Sequence, residues 1–245
     1  MSAKSSDESV IFYGWTAVQR DPNVLLAGKS YIHKPIPLLV KDIKFPSDDS
    51  LVAKIQEYAK AKLALPTFHH SMRVFYYAST ILEQQFPDSA KSLSRSTLAA
   101  TALLHDIGTT HDNLRATQLS FEFFGGMIAL DLIQNRLGGP QSQAEAVAEA
   151  IFRHQDLGKT GTITFLGQLI QLATIYDNMG GNPELVHPDT KVDVVKAFPR
   201  LRWSKCFAST IREENSLKPW AHTTALGEED FPNGVLNNTL MAEFE

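Results

Sequence analysis

A carboxylate that closes a greasy helical stripe constrains this sequence most. Leu166, Leu169, Ile170 and Ala173 share one face of a helix read over 164–179, and Asp177 falls on that same face. An ionised carboxylate carried into a core is costly unless it is paired or holds a metal. Two other segments repeat the pattern. In a helix read over 94–107, Ala99, Ala102 and Leu103 lead to Asp106, with His105 beside it, in line with Leu98 and Thr101. In a helix read over 67–86, His70 lines up with Val74, Tyr77 and Ile81. Asp106 and Asp177 both lie near helix C-termini, where the dipole disfavours a carboxylate, so capping does not explain them. Two imidazoles and two carboxylates facing one core suit Zn²⁺, Fe²⁺, Mn²⁺ or Co²⁺ far better than Ca²⁺.

The rest of the chain reads as all-α. Helical patterns recur at 50–64, 119–137, 142–154, 189–198 and 203–216, with Ser50 and Thr67 as N-caps and Pro66 as a stop. Gly125-Gly126 falls inside a helix, where two helices approach closely. Residues 1–48 read as an irregular N-terminal arm, in which Pro37–Val40 is either a short strand or a packed extended segment. Residues 49–227 read as one helical domain, and 228–245 as an irregular C-terminal tail. A net charge of −4 offers no basic face for nucleic acid. A single cysteine, Cys206, gives no disulfide framework. The first ten residues are polar and read as no secretory signal, and no apolar run reaches membrane length. The expectation is a cytoplasmic protein, with the nucleus as the other compartment open to it.

The spacing of His70, the pair His105-Asp106 and the distant Asp177 resembles the H…HD…D signature of the HD-domain superfamily of metal-dependent hydrolases. Longer stretches are similar to the fungal cyanamide hydratases: His70-Ser-Met-Arg-Val-Phe75, Leu103-Leu-His-Asp-Ile-Gly108, Ser120–Gly126, Ala148–Asp156, Leu166–Asn178 and Lys218–Thr224. The resemblance implies an HD-domain helical bundle that hydrates the small neutral nitrile cyanamide to urea at one Zn²⁺, with Fe²⁺ or Mn²⁺ less favoured. It also implies a homo-oligomer, a dimer or larger. It assigns His70, His105, Asp106 and Asp177 as metal ligands, and His154 and Thr174 as groups close to the substrate. The residue before the first ligand is Asn in the family pattern and His69 here; helical phase sets His69 with Arg73 and Tyr76, away from the stripe.

His154 follows Val147 and Ile151 on one stripe and ends its helix, where a protonated imidazole is favoured, so it reads as a proton donor or orienter. Thr174 is open to two readings, a bond to water or substrate and a bond to its own backbone. HD proteins that hold two metals supply two further histidines between the HD pair and the last Asp; here that interval has His111, in a polar stretch that reads as solvated, and His154, so the resemblance implies one metal. The rival function is a nucleotide phosphohydrolase using Arg73, Arg115 or Arg153 to hold phosphate; a metal-stabilised binding module is the other. Trp203, Cys206, Phe207, Trp220 and His222 read as packing rather than site.

Overall fold

The computed structural model describes the backbone of residues 3–245 and side chains from Glu8 onward. The region read as an irregular arm holds regular structure. Helix α1 (Ala3–Phe12) leads to strand β1 (Ala17–Gln19) and to the one-turn helix α2 (Pro22–Leu25), capped by Asp21. Pro37–Val40 is not a strand. Its amides bond to side chains of a later helix, Leu38 N to Thr190 Oγ1 at 2.9 Å and Val40 N to Asp193 Oδ2 at 2.8 Å.

Helix α3 (Ser50–Lys62) starts one residue earlier than its sequence suggests, because Asp49 is the cap. Its carboxylate accepts from Leu51 N at 2.8 Å, and a negative group suits the helix N-terminus better than a hydroxyl. Pro66 opens helix α4 (Leu65–Gln85) rather than stopping α3, since a missing N–H is harmless in a first turn. Thr67 therefore lies inside α4. The one-turn α5 (Pro87–Ala90), then α6 (Arg95–Leu104), α7 (His111–Ala116) and α8 (Phe121–Leu130) follow, and α8 relaxes into a π-helical turn at Asp131–Arg136. Next come α9 (Gln141–Phe152), strand β2 (Thr162–Thr164), α10 (Phe165–Met179) and α11 (Pro188–Ala197). β1 and β2 pair antiparallel with Val18 opposite Ile163, which ties the N-terminal segment to the start of α10.

The core is all-α and centres on α4. Val74, Phe75, Tyr77, Ala78 and Ile81 are fully buried against Leu98 and Leu103 of α6 and Leu166 and Ile170 of α10. A second, smaller apolar cluster joins α12 (Trp203–Leu217) to α13 (Asp230–Leu236) through Trp203, Phe207, Ile211, Phe231 and Val235. The segment read as an irregular tail is thus partly helical and packed. Among the described residues no helix is long and apolar enough to cross a membrane.

Close approach at glycines fixes the turn that follows α6. Gly125 faces the backbone of Gly108, and a Cβ on Gly126 would collide with the Phe152 ring of α9, so α8 and α9 do meet closely there. A Cβ on Gly108 would overlap the Phe121 carbonyl, a backbone atom that cannot swing aside. Gly108→Ala is therefore expected to cost at least about 1–3 kcal/mol, read as a fall of several degrees in the thermal midpoint; an unchanged midpoint would contradict this packing.

Candidate metal centre

Three helix ends and one helix face deliver the polar groups. His70 lies on the buried face of α4, one turn after its start. α6 is capped by Ser94, whose hydroxyl accepts from Thr97 N at 3.1 Å, and ends at Leu104, so His105 and Asp106 emerge at the turn Ile107–Thr109. Thr109 Oγ1 donates to the Asp106 carbonyl at 2.7 Å and pins that turn. His154 stands just beyond α9, and Asp177 lies in the last turn of α10, which Gly180 closes at φ 70°.

His70, His105 and Asp106 are buried and can each turn one ligand atom to within 4.8 Å of the others. Nε2 of His70 lies 3.1 Å from Nε2 of His105, and the two nitrogens lie 3.6 and 3.4 Å from Asp106 Oδ2. Hydrogen bonding assigns the protons. Nδ1 of His70 faces Asp177 Oδ2 at 2.6 Å and Nδ1 of His105 faces the Ala102 carbonyl at 2.8 Å, so each neutral ring carries its proton on Nδ1. Both Nε2 lone pairs then point at each other. A shared proton or a divalent cation between them makes that arrangement favourable. Both Asp106 oxygens are buried without a hydrogen-bond partner, as is Nε2 of His154. Two imidazoles that turn their Nε2 atoms together and a buried carboxylate without a hydrogen-bond partner fit a divalent metal.

The charges agree. Burial alone would raise Asp106, but His105 and His70 outweigh it and hold the carboxyl far below its ordinary value. Burial lowers His70, whereas at His105 the neighbouring Asp106 overcomes burial and raises it.

Asp177, expected among the ligands, is not in this group. Its Oδ1 accepts from Arg73 Nε at 3.0 Å and Arg200 Nη1 at 2.9 Å, and its Oδ2 from His70 Nδ1 and from Arg73 Nη2 at 2.9 Å. The carboxylate is saturated behind His70. Burial alone would raise it, but the two guanidinium groups hold it fully ionised. Thr174, the other residue expected near the reaction, donates its hydroxyl proton to the Gln171 carbonyl at 3.1 Å, the backbone reading of that residue. His154, expected as a proton donor or orienter, has its Nδ1 on the Ile151 carbonyl at 2.7 Å, and burial followed by the charge of His105 lowers it. With Nδ1–H on that carbonyl, the neutral tautomer presents Nε2 as an acceptor. That lone pair lies 3.8 Å from Asp106 Oδ1. His69 is only half-buried and bonds to the Pro199 carbonyl, and His111 is exposed.

Several residues read as packing touch the site. Trp203 stacks on His70 with ring centres 4.2 Å apart, and Phe207 stacks behind Trp203 at 5.1 Å. Trp220, by contrast, is 62% exposed and packs no core. A cleft of about 560 Å³ is lined by Thr67, Thr109 and Cys206, so it lies one helical turn from His70 and against the turn that carries Asp106. The charge of Asp106 reaches Cys206, whose thiol burial first of all raises.

A second buried acidic cluster adjoins Phe121, whose ring packs on His154 at 5.5 Å. Glu122 Oε1 lies 2.6 Å from His222 Nδ1, which raises that imidazole. Glu214 Oε1 accepts from Phe121 N at 2.6 Å and Oε2 from Thr223 Oγ1 at 2.9 Å, so it caps α8 from a distant helix. No pattern in the sequence marks Glu214, because the amide it caps lies far away along the chain.

The HD domain profile matches residues 67–179, which include all six of His70, His105, Asp106, His154, Thr174 and Asp177. Two proteins of Saccharomyces cerevisiae, cyanamide hydratase DDI2 and cyanamide hydratase DDI3, are each 44% identical to this chain over 227 residues. That span is 93% of this chain and 97% of each relative.

Glu214 gives the centre's surroundings a titration that can be read. Burial, with the charge of Glu122 added, pushes it up to about 7. A carboxyl raised in the folded state stabilises the fold fully below its unfolded value and loses that contribution as pH rises through about 7. From pH 5 to 8.5 the wild type is expected to lose up to about 3 kcal/mol relative to Glu214→Gln. Denaturant melts of both proteins at the two pH values measure this difference; a constant difference would contradict the shift.

Proposed function

This chain belongs to the cyanamide hydratases of the HD-domain superfamily, and from that membership we propose that it hydrates cyanamide to urea at a single zinc held by His70, His105 and Asp106. It is an enzyme of the hydro-lyase class. The observation that carries the reading is the meeting of Nε2 of His70 and Nε2 of His105 at 3.1 Å beside Asp106, whose two buried oxygens have no hydrogen-bond partner, with the equally unpartnered Nε2 of His154 3.8 Å from Asp106 Oδ1. Three protein ligands leave the open position that catalytic zinc sites keep. When bound, the metal supplies Lewis-acid polarisation and lowers the pKa of water to near neutrality.

The chain's own residues supply the rest. Asp177 fixes the tautomer and orientation of His70, as an outer carboxylate does behind a metal-bound imidazole. Trp203 and Phe207 wall the site with apolar rings and exclude bulk water from it. Nε2 of His154 takes one proton from the attacking water as its oxygen bonds to the nitrile carbon, and returns that proton to the nitrile nitrogen. A second proton shifts from oxygen to nitrogen to give urea. The cleft beside Thr67, Thr109 and Cys206 is the access route for so small a substrate. Thr174 receives no role in this scheme.

The rival phosphohydrolase needs a free cation for phosphate. Arg73 is fully buried and held by Asp177, Arg115 pairs with Glu213, and Arg153 pairs with Asp156 and Glu149. None of these three is left to hold an anion. We also propose a homo-oligomer through the exposed apolar residues Leu119, Phe123, Met127 and Trp220; the Trp220 indole N–H donates to the Gln118 carbonyl, which sets that ring beside Leu119.

Zinc-loaded protein is expected to release urea from cyanamide, and His105→Ala to abolish it. His154→Ala is expected to lower kcat about 10²–10⁴-fold while zinc stays bound. Turnover of a nucleotide monophosphate without urea would overturn the reading. Phe123→Asp with Met127→Asp is expected to shift the sedimenting species towards monomer; an unchanged species would discard that surface.

A further inference from the structure

Asp177 does not stand alone behind His70. Arg200, itself fully buried, donates from Nη1 to Asp177 Oδ1 at 2.9 Å and to the Asp177 carbonyl at 3.0 Å. On its other side Arg200 Nε donates to Glu245 Oε1 at 2.7 Å. Arg200 Nη2 donates to Ser204 Oγ at 3.1 Å, and that hydroxyl donates in turn to Glu245 Oε1 at 2.6 Å. Asn238 Nδ2 adds a bond to the same Asp177 carbonyl at 2.9 Å. The segment after α13 thus reaches the metal centre from behind.

The charges require this arrangement. Arg73 and Arg200 place two buried guanidinium groups on one carboxylate, and a buried charge without a partner is costly. Glu245 supplies the second negative charge, and its side chain is only partly exposed. The same carboxylate also serves α12. Arg202, the residue before that helix, sits at φ 62° and makes no side-chain cap, and Glu245 Oε2 accepts from Ser204 N at 3.2 Å. A carboxylate at a helix N-terminus is favourable. α12 begins with Trp203, which stacks on His70. Both connections therefore converge on one imidazole.

We propose that Glu245 is a positioning residue of the metal centre: it holds Arg200 against Asp177, which holds Nδ1 of His70, and it anchors the turn that seats Trp203 on that ring. The proposal rests on reading His70 as a ligand and deepens that reading.

The test uses the full chain and a chromogenic chelator that competes for zinc. Glu245→Ala is expected to weaken zinc binding about tenfold, the lower end of what loss of an outer partner costs. Glu245→Gln, which keeps an oxygen for Arg200 Nε but removes the charge, is expected to restore only part of that affinity. In an Asp177→Asn background, Glu245→Ala is expected to add little further loss, because the relay is already cut. Zinc affinity unchanged in Glu245→Ala, with or without a lower melting point of the metal-free protein, would overturn the proposal and leave Glu245 a structural residue. Full additivity with Asp177→Asn would overturn it as well. Urea release by the wild type is measured alongside: its absence with zinc binding still sensitive to Glu245 would remove the hydratase reading and leave the relay standing.

Discussion

One buried carboxylate orders the functional half of this molecule. Asp177 has no access to water and accepts from His70, Arg73 and Arg200 together. Its ionised state is maintained by two cations, and those cations are maintained by it and by Glu245. From that knot the geometry of the centre follows. His70 is held in one tautomer, its Nε2 meets that of His105, and Asp106 closes the group from the turn after α6. Removing the carboxylate would leave Arg73 buried with carbonyl partners but no counter-charge and Arg200 with Glu245 alone, a larger loss than a single hydrogen bond.

The inner groups are legible in the sequence for a simple reason. A helix repeats its face at regular spacing, so a His or Asp on an aliphatic stripe marks itself as buried by its position alone. His70, His105 and Asp106 follow that rule and do come together. Asp177 follows it as well, but the rule reports burial and is silent on partners. Arg200 and Glu245 lie 23 and 68 residues further along the chain, and periodicity within one helix carries no information about them. The same limit hides Glu214, which caps α8 from α12. Arg73 departs from its phase. It shares a face with His69, away from the apolar stripe, yet it is fully buried because Asp177 and the carbonyls of Phe198 and Pro199 satisfy it.

Element boundaries are less legible than element types. Pro66 reads as a stop and is a start, and Asp49 rather than Ser50 caps α3. The N-terminal segment and the segment after 228 read as irregular for two reasons: the large apolar residues of α1, Val10, Ile11 and Phe12, are consecutive and form no stripe, and the other regular pieces are short. β1 and β2 have three residues each and α13 has seven, too few for a period to stand out. Their stability comes from docking on the body, and in the case of Glu245 from docking on the centre itself.

Crystals of the zinc-loaded protein, measured at the zinc absorption edge, locate the metal against these side chains. One anomalous peak per chain is expected at bonding distance from Nε2 of His70, Nε2 of His105 and a carboxylate oxygen of Asp106, with Asp177 still on Arg73 and Arg200. A peak bonded to Asp177, two peaks, or a peak away from these residues would contradict a three-ligand centre held from behind by Asp177.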